Sequence, residues 1–311
     1  MNGHSEALVQ PSTAGGSSAP KVVVGVDGTA ANWSAVSWAV AEARRAGRPL
    51  LLVASGPSTV SASAPRPDDL DQESSDRLAG DLLENVRRRV TSQVREVSTL
   101  VSSGAPSEAL LRCADEQDLL VVGKRRGNPW SSAVLGSTAV AVAERCMGPV
   151  VVVPEAWSST EHLAQHIVAG IDRQGDSQVL DLGFSRAHTL GVGLAVVHAS
   201  SVPSSPSATP RGVQPLTVDA QQTLADLIAP WEQEYPNVDV TLQSLALAAT
   251  VSLLGAATDA QLLVVGRHTA PTGSGGPFLG STTRKILHHA SCPVIIVPAP
   301  TTAAGSPLGP R

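Results

Sequence analysis

The sequence predicts an α/β protein built from two tandem, doubly wound domains, each with a five-stranded parallel sheet. The chain length, an internal repeat and the alternation of short apolar strands with helical segments lead to this prediction. The 311 residues correspond to about two domains of ordinary size. Apolar residues make up 42% of the chain and aromatic residues only 3%, so the cores must consist of Val, Leu, Ile and Ala. That composition suits parallel strands covered by helices on both faces.

Four short motifs occur twice in the same order and at nearly the same spacing. KVVVGVDGT from Lys21 matches HIVAGIDRQ from His166, and DLLVVGK ending at Lys124 matches QLLVVGR ending at Arg267. The motifs VLGST and FLGST follow, and GPVVVVPE and CPVIIVPA come last. The chain is therefore a duplicated domain, with one copy over 21–154 and the other over 166–298.

Within each copy, short apolar runs alternate with segments whose apolar residues recur at helical spacing. Trp33, Val36 and Val40, for example, share one face of a helix over Asn32–Ala46. The first copy has predicted strands at Lys21–Asp27, Leu50–Ala54, Glu96–Val101, Leu119–Val122 and Val150–Val153, with further helices over Gln72–Ser92 and from Pro106 and Ser137. The second has predicted strands at His166–Asp172, Gly193–His198, Val238–Ser244, Leu262–Val265 and Val294–Val297. This alternation predicts right-handed βαβ units and a parallel sheet.

Composition excludes several classes of function. The three cysteines are widely spaced, which argues against a disulfide framework or a CxxC metal site and favours a cytoplasmic protein. A net charge of −5 gives no general affinity for nucleic acid or an anionic membrane. No apolar run approaches the roughly 18 residues that span a bilayer. Residues 1–20 and 299–311 are rich in small and polar residues, and we expect both to be disordered tails.

An aspartate ends the first strand of each copy, Asp27 in one and Asp172 in the other. In open α/β sheets, ligands bind beyond the carboxyl ends of strands where the winding direction switches, and the first strand ends there. A carboxylate at this place would accept hydrogen bonds from a sugar or from a base amine. The alternative is that each aspartate is the N-cap of the following helix.

The second candidate feature is the glycine-containing loop between the fourth strand and the last helix. Its glycines allow the backbone to approach phosphate, and the Gly-Ser-Thr step opens a helix whose free N–H groups attract anions. The candidate residues are Gly123, Gly136, Ser137 and Thr138 in the first copy and Gly266, Gly280, Ser281 and Thr282 in the second. We expect Lys124, Arg125 and Arg126 to add positive charge to the first loop, and Arg267 and His268 to the second. Neither a Walker loop nor a GxGxxG fingerprint is present.

These residues resemble the universal stress protein family, once per copy and over nearly the whole chain apart from the tails. The resemblance implies a Rossmann-like, adenine nucleotide α-hydrolase-like sheet with strand order 3-2-1-4-5. ATP-binding members carry an Asp at the end of the first strand. They also carry a loop of the form Gly, two residues, Gly, nine residues, Gly, then Ser or Thr. In them the Asp and the end of the second strand hold adenosine, and the loop holds ribose and phosphates.

Mapped by this resemblance, the first copy keeps Asp27, Gly123, Gly136 and Ser137, but Arg126 replaces the second loop glycine. The second copy keeps the corresponding Asp172, Gly266, Gly280 and Ser281, with Thr269 in place of the second glycine and one extra residue in the loop. The ends of the second strands, near Ser55 and Ala199, would offer backbone groups to a base. Arg126 either fills the phosphate space or pairs with phosphate.

The resemblance implies a stress-response protein that binds ATP, with or without Mg²⁺, and has no catalytic centre of its own. Two alternatives stay open: an interaction module that has lost nucleotide binding, and a slow ATPase. Family members dimerise through their last strands. Because Val150–Val153 and Val294–Val297 are strongly apolar, we expect the two halves to pair across them as an internal pseudo-dimer. Dimerisation of whole chains stays open.

Overall fold

A computed structural model describes residues 19–55, 72–124, 136–158, 166–172, 177–199, 218–245, 248–267 and 279–298. Arg126, and the predicted tails apart from Ala19 and Pro20, lie outside this part. The first half contains β1 (Val22–Gly25), α1 (Ala30–Ala46), β2 (Leu50–Ser55), α2 (Gln72–Val90), β3 (Val97–Ser102), α3 (Pro106–Cys113), β4 (Leu119–Lys124), α4 (Ser137–Arg145) and β5 (Val150–Pro154). The second contains β6 (His166–Ile171), α5 (Ser177–Leu190), β7 (Gly193–Ala199), α6 (Val218–Glu234), β8 (Val240–Leu245), α7 (Ala249–Ala256), β9 (Leu262–Gly266), α8 (Ser281–His289) and β10 (Val294–Val297).

The described strands form one ten-stranded sheet in the order β3-β2-β1-β4-β5-β10-β9-β6-β7-β8. Neighbours within each half are parallel, which confirms the α/β class and the strand order 3-2-1-4-5. The halves meet where β5 and β10 pair antiparallel, with Val151 opposite Ile295. These two residues are the second of their strands, so a pseudo-twofold axis passes between them. The two apolar edges therefore lie inside the sheet, as expected.

The side-chain alternation of the strands creates two cores, one on each face of the sheet. Val22 and Val24 of β1 face α1 and α2, whereas Val23 between them faces α3 and α4. In the second half, α5 and α6 continue the first layer, and α7 and α8 continue the other. Both faces are covered, which explains the nearly continuous valine and leucine runs of the strands. No described helix is both long and apolar enough to cross a bilayer.

The C-terminal ends of α1 and α5 meet across the junction of the halves through a buried ion pair. Glu42 and Arg186 are each the fifth residue from the end of their helix, and both helices end in a left-handed glycine cap. Arg186 Nη1 donates to Glu42 Oε2 at 2.5 Å, and Arg45 donates to the same carboxylate at 2.6 Å. Glu42 is 6% exposed and Arg186 9% exposed. The two halves thus place opposite charges at equivalent positions.

Gly148, just before β5, packs against the backbone of the turn at Asp115–Asp118. A Cβ added there would lie 2.8 Å from the carbonyl oxygens of Asp115 and Asp118. We expect Gly148→Ala to lower the free energy of unfolding by about 1–3 kcal/mol, because backbone atoms must shift. Urea denaturation followed by tryptophan fluorescence measures this change.

Gly80→Ala is the matched control, since a Cβ on Gly80 meets nothing within 4 Å and the residue lies inside α2. It should stabilise the chain by about 0.5–1 kcal/mol through helix propensity. A Gly148→Ala chain as stable as wild type would show that the turn is free to move.

Candidate functional site

Asp27 lies just beyond the carboxyl end of β1, at the point where the sheet changes its winding direction. β1 pairs with β2 on one side and with β4 on the other. In the latter register Val24 lies opposite Val121, so two residues further on Val26 is level with Gly123. Asp27 and Gly123 therefore stand at the same edge of adjacent strands. The Asp27 side chain is exposed there.

A tight turn fixes the backbone after Asp27. The amide and hydroxyl of Thr29 donate to Asp27 Oδ1 at 2.9 and 2.7 Å, and Gly28 has a φ of 75° that favours glycine. The N-cap of α1 is Thr29, so the interpretation of Asp27 as the N-cap is wrong. Its carboxylate instead accepts from the N-cap amide, which holds the aspartate at the sheet edge.

Asn32, a residue that the sequence analysis did not select, attaches α1 to this turn. Its side-chain amide donates to the carbonyl oxygen of Gly25 at 2.5 Å, and the residue is 6% exposed. The amide of Val26 donates to the carbonyl oxygen of Val53 at 2.7 Å, which brings the end of β2 alongside. The burial of its amide identifies Asn32, and because burial depends on packing, no motif in the sequence indicates this residue.

The start of α4 lies beyond β4, on the chain that follows Gly123. Gly123 is paired with Val153 of β5. The N-cap of α4 is Gly136, which has no side chain with which to cap the helix. Ser137 is exposed and Thr138 half-buried. The first N–H groups of α4 thus have no side-chain acceptor at the cap, which suits an anion.

The second half repeats the arrangement with differences. Asp172 follows β6, between β7 and β9, and its side chain is half-buried. Gly280 is the N-cap of α8, again without a capping side chain, and Ser281 is exposed and Thr282 half-buried. The next residue, Thr283, is buried, and its hydroxyl contacts the carbonyl oxygen of Gly266 at 3.5 Å. Thr283 therefore ties α8 to the end of β9.

The expectation that Lys124 and Arg267 add charge to their own loops is wrong. Lys124 Nζ donates to the carbonyl oxygens of His288 and Ala290, at 2.9 and 3.0 Å. Arg267 Nη1 donates to carbonyl oxygens at the end of α4, at 2.7 Å for Cys146. Each cation thus points across the β5–β10 junction to a helix C-terminus of the other half, where the helix dipole is negative.

Burial changes the proton affinity of the groups at this junction. It lowers the pKa of Lys124 to about 8, and it also lowers the pKa of Arg267. It raises the pKa of the Cys292 thiol to about 12 and raises that of Cys146 as well. Removal of a charged group from water disfavours its charged form, which explains all four directions.

Acidic side chains and histidines do not assemble into a metal-binding group in the described ranges, where no three His, Cys, Asp or Glu residues lie together. Of the predicted site residues, Asp27 and Gly123 stand at the same edge of adjacent strands, and so do Asp172 and Gly266 in the second half. The helix starts at Gly136–Thr138 and Gly280–Thr282 follow the same two strands. Arg126 and His268 lie outside the described residues.

A model of the "Universal stress protein family" matches this chain twice, over residues 19–154 and 164–298. The chain belongs to the universal stress protein family. The two matches cover both halves of the sheet, so it is a tandem universal stress protein.

Curated universal stress proteins of mycobacteria align with the whole tandem. One from Mycolicibacterium smegmatis is 28% identical over 284 residues, which cover 89% of this chain and 96% of the relative. Universal stress protein Rv2005c of Mycobacterium tuberculosis is 26% identical over 287 residues, with 88% and 96% covered. A crystal structure of a universal stress protein from Archaeoglobus fulgidus superimposes with a TM-score of 0.66 at 12% identity, over 89% of this chain and 98% of that one. This last likeness is one of fold.

Proposed function

We propose that this tandem universal stress protein binds an adenine nucleotide, ATP with Mg²⁺, and has no catalytic centre of its own. The observation that supports this best is the position of Asp27. Its exposed carboxylate stands at the switch point of the sheet, on the strand next to β4, whose chain leads to the uncapped start of α4. Ligands of open α/β sheets bind at that edge.

The Asp27 carboxylate suits the nucleoside part of the ligand. A carboxylate accepts hydrogen bonds from ribose hydroxyls or from an exocyclic amine, and charged acceptors make the stronger bonds. The end of β2 lies next to it, held by the bond between Val26 and Val53. Backbone groups near Ser55 are thus in place to recognise a base.

The start of α4 suits the phosphates. Gly136 presents no side chain at the cap, and Ser137 and Thr138 carry hydroxyls in the first turn, where the N–H groups have no acceptor within the helix. Because the described acidic groups form no metal cluster, Mg²⁺ would be held mainly by phosphate oxygens of the nucleotide. When bound there it would neutralise phosphate charge.

The first half is the better candidate of the two. Its turn from Asp27 to Thr29 is held by two hydrogen bonds to one carboxylate oxygen. The second half retains Asp172 and Gly280–Thr282, but its loop carries one residue more than the family form, whereas the first loop keeps the family length. The loop substitutions Arg126 and Thr269 favour the rival function, an interaction module that binds no nucleotide.

Titration of the full chain with Mg-ATP in a calorimeter tests the proposal. We expect Asp27→Ala to weaken binding by at least about tenfold, the loss of a hydrogen bond to a charged acceptor. Asp172→Ala reports the second half in the same way. Asp81→Ala, which removes an exposed carboxylate from α2, is the control and should keep wild-type affinity.

Absence of heat and of thermal stabilisation at millimolar ATP would reject nucleotide binding and leave the interaction module. Binding that is unchanged in both aspartate variants would reject the assigned site. Phosphate release on incubation with ATP would show a slow ATPase and reject the absence of catalysis.

A further inference from the structure

The two cations at the base of the fourth-strand loops make equivalent contacts in opposite directions. Lys124 directly follows Gly123, and Arg267 directly follows Gly266, so each is one residue from a candidate ligand-binding position. Each side chain leaves its own half and ends among backbone carbonyls of the other. This exchange is a property of the tandem and not of a single domain.

The acceptors of Lys124 lie at the end of α8. His288 is the eighth residue of that nine-residue helix and Ala290 is its C-cap. Lys124 Nζ donates to both carbonyl oxygens, at 2.9 and 3.0 Å. No carboxylate joins Lys124 in the hydrogen bonds and ion pairs of the described residues, so the helix end is what it binds.

The acceptors of Arg267 occupy the same places in α4. Glu144 is the eighth residue of that nine-residue helix and Cys146 is its C-cap. Arg267 Nη1 donates to their carbonyl oxygens at 3.1 and 2.7 Å, and the side chain is 8% exposed. The contact of Lys124 with the end of α8 and the contact of Arg267 with the end of α4 therefore involve equivalent residues on the two sides of the pseudo-twofold axis. We call each of these contacts a clamp.

Each clamped helix begins at the candidate phosphate site of its own half. A helix of nine residues is about 13 Å long and moves as a rigid body. A shift of α8 at its clamped C-terminal end therefore displaces Ser281 at the other end. Arg284 of α8 also pairs with Glu144 of α4 at 2.5 Å, so the two helices are held against each other as well.

We propose that the two nucleotide sites are coupled, with Lys124 and Arg267 as the residues that transmit occupancy of one site to the helix of the other. This inference rests on the proposed function. A ligand that fixes Gly123 and the start of α4 also restricts the position of Lys124. The hydrogen bonds from Lys124 to the C-terminal end of α8 are thereby strengthened. The start of α8 is then ordered before its own ligand arrives, so the coupling is positive.

Hydrogen exchange of the full chain with nucleotide confined to the first half tests this. In Asp172→Ala saturated with Mg-ATP, as verified by calorimetry, we expect exchange in α8 to slow by at least about fivefold, the lower end of usual coupling. Lys124→Met in the same background should abolish the slowing. Lys124→Arg should retain it, since the chain itself carries arginine at the equivalent position. Lys285→Met, the same change on the exposed face of α8, is the matched control and should leave it intact.

The outcomes separate the coupling from the binding. Slowing confined to the first half, or slowing that survives Lys124→Met, would overturn the coupling and leave nucleotide binding in place. Absence of calorimetric binding would overturn the proposed function and the coupling with it. If Lys124→Met fails to fold, the reciprocal experiment decides. It uses Asp27→Ala with Mg-ATP and reads α4 with and without Arg267→Met, which removes the Nη1 group that donates to both carbonyl oxygens.

Discussion

Replacement of Glu42 by glutamine is expected to lower the free energy of unfolding by about 3–5 kcal/mol, the largest effect that we predict. The change leaves the buried Arg186 guanidinium without its counter-charge, and removal of one partner of a buried ion pair costs this much. Arg45 would then be a second cation beside it with no carboxylate between them. Urea denaturation at neutral pH measures the loss.

The double variant Glu42→Met with Arg186→Met is the matched control. It removes both charges and keeps apolar volume at the α1–α5 contact, so most of the lost stability should return. A single variant that loses less than about 1 kcal/mol would show that the charges are solvated and that the contact contributes little.

The ion pair between Glu42 and Arg186 should also make the stability of the chain depend on pH in the acid range. Burial raises the pKa of Glu42, but the hydrogen bonds and charges of Arg186 and then of Arg45 outweigh it, so the pKa lies below its usual value of 4.5. The folded state thus binds this proton less readily than the unfolded state. The stabilisation is complete above about pH 4.5 and is lost as the pH falls through the folded pKa. The double methionine variant should show a shallower acid loss.

Alkaline pH is expected to stabilise the wild-type chain relative to Lys124→Met, by about 3 kcal/mol when the effect is complete. Burial lowers the pKa of Lys124 to about 8, against 10.5 for an ordinary lysine. Below pH 8 both states carry the proton, and the folded state bears the cost of a buried charge. Between pH 8 and 10.5 the folded state loses the proton first, so stability rises with pH. The neutral amine still has two N–H groups for His288 and Ala290.

The measurement is the difference in unfolding free energy between the two chains at pH 7 and at pH 9.5. We expect it to grow by about 2 kcal/mol over that interval. The comparison cancels Cys292, whose raised pKa acts in the opposite direction above pH 9 in both chains. Lys285→Met should keep the wild-type pH dependence, and a difference that is constant with pH would show that Lys124 stays charged in the fold.

The sequence predicted the elements well because their signals are local. Duplicated motifs, apolar runs of strand length and a proline at the first turn of α3 all depend on neighbours along the chain. Every predicted strand has a counterpart in the structure within about two residues. The apolar last strands even indicated their pairing, because an exposed edge of that kind is unstable in water.

The directions in which the side chains of Lys124 and Arg267 point could not be predicted from the sequence. Lys124 and Arg267 were predicted to add positive charge to their own loops, because basic residues next to glycines are typical of anion-binding sites. Their real acceptors, the ends of α8 and α4, come from the other half of the chain. Which carbonyls are near depends on the antiparallel junction of β5 and β10, and no local pattern encodes that distance.

The role of Asp27 was predictable only in part. The sequence predicted its position at the end of a strand and left two roles open, ligand binding and N-cap. Only the backbone geometry at Gly28 and Thr29 decided that Thr29 is the cap and that Asp27 holds the turn. Asn32 was missed because burial of a polar side chain is set by packing.

The sequence by itself determined the family, the duplication, the order of elements and the strands that carry the candidate site, because local propensity and hydrophobic patterning govern these. The tertiary structure alone decided the charge pairing between the halves. Glu42 meets Arg186, and each loop cation meets a helix of the other half, because the pseudo-twofold junction brings together residues more than a hundred positions apart.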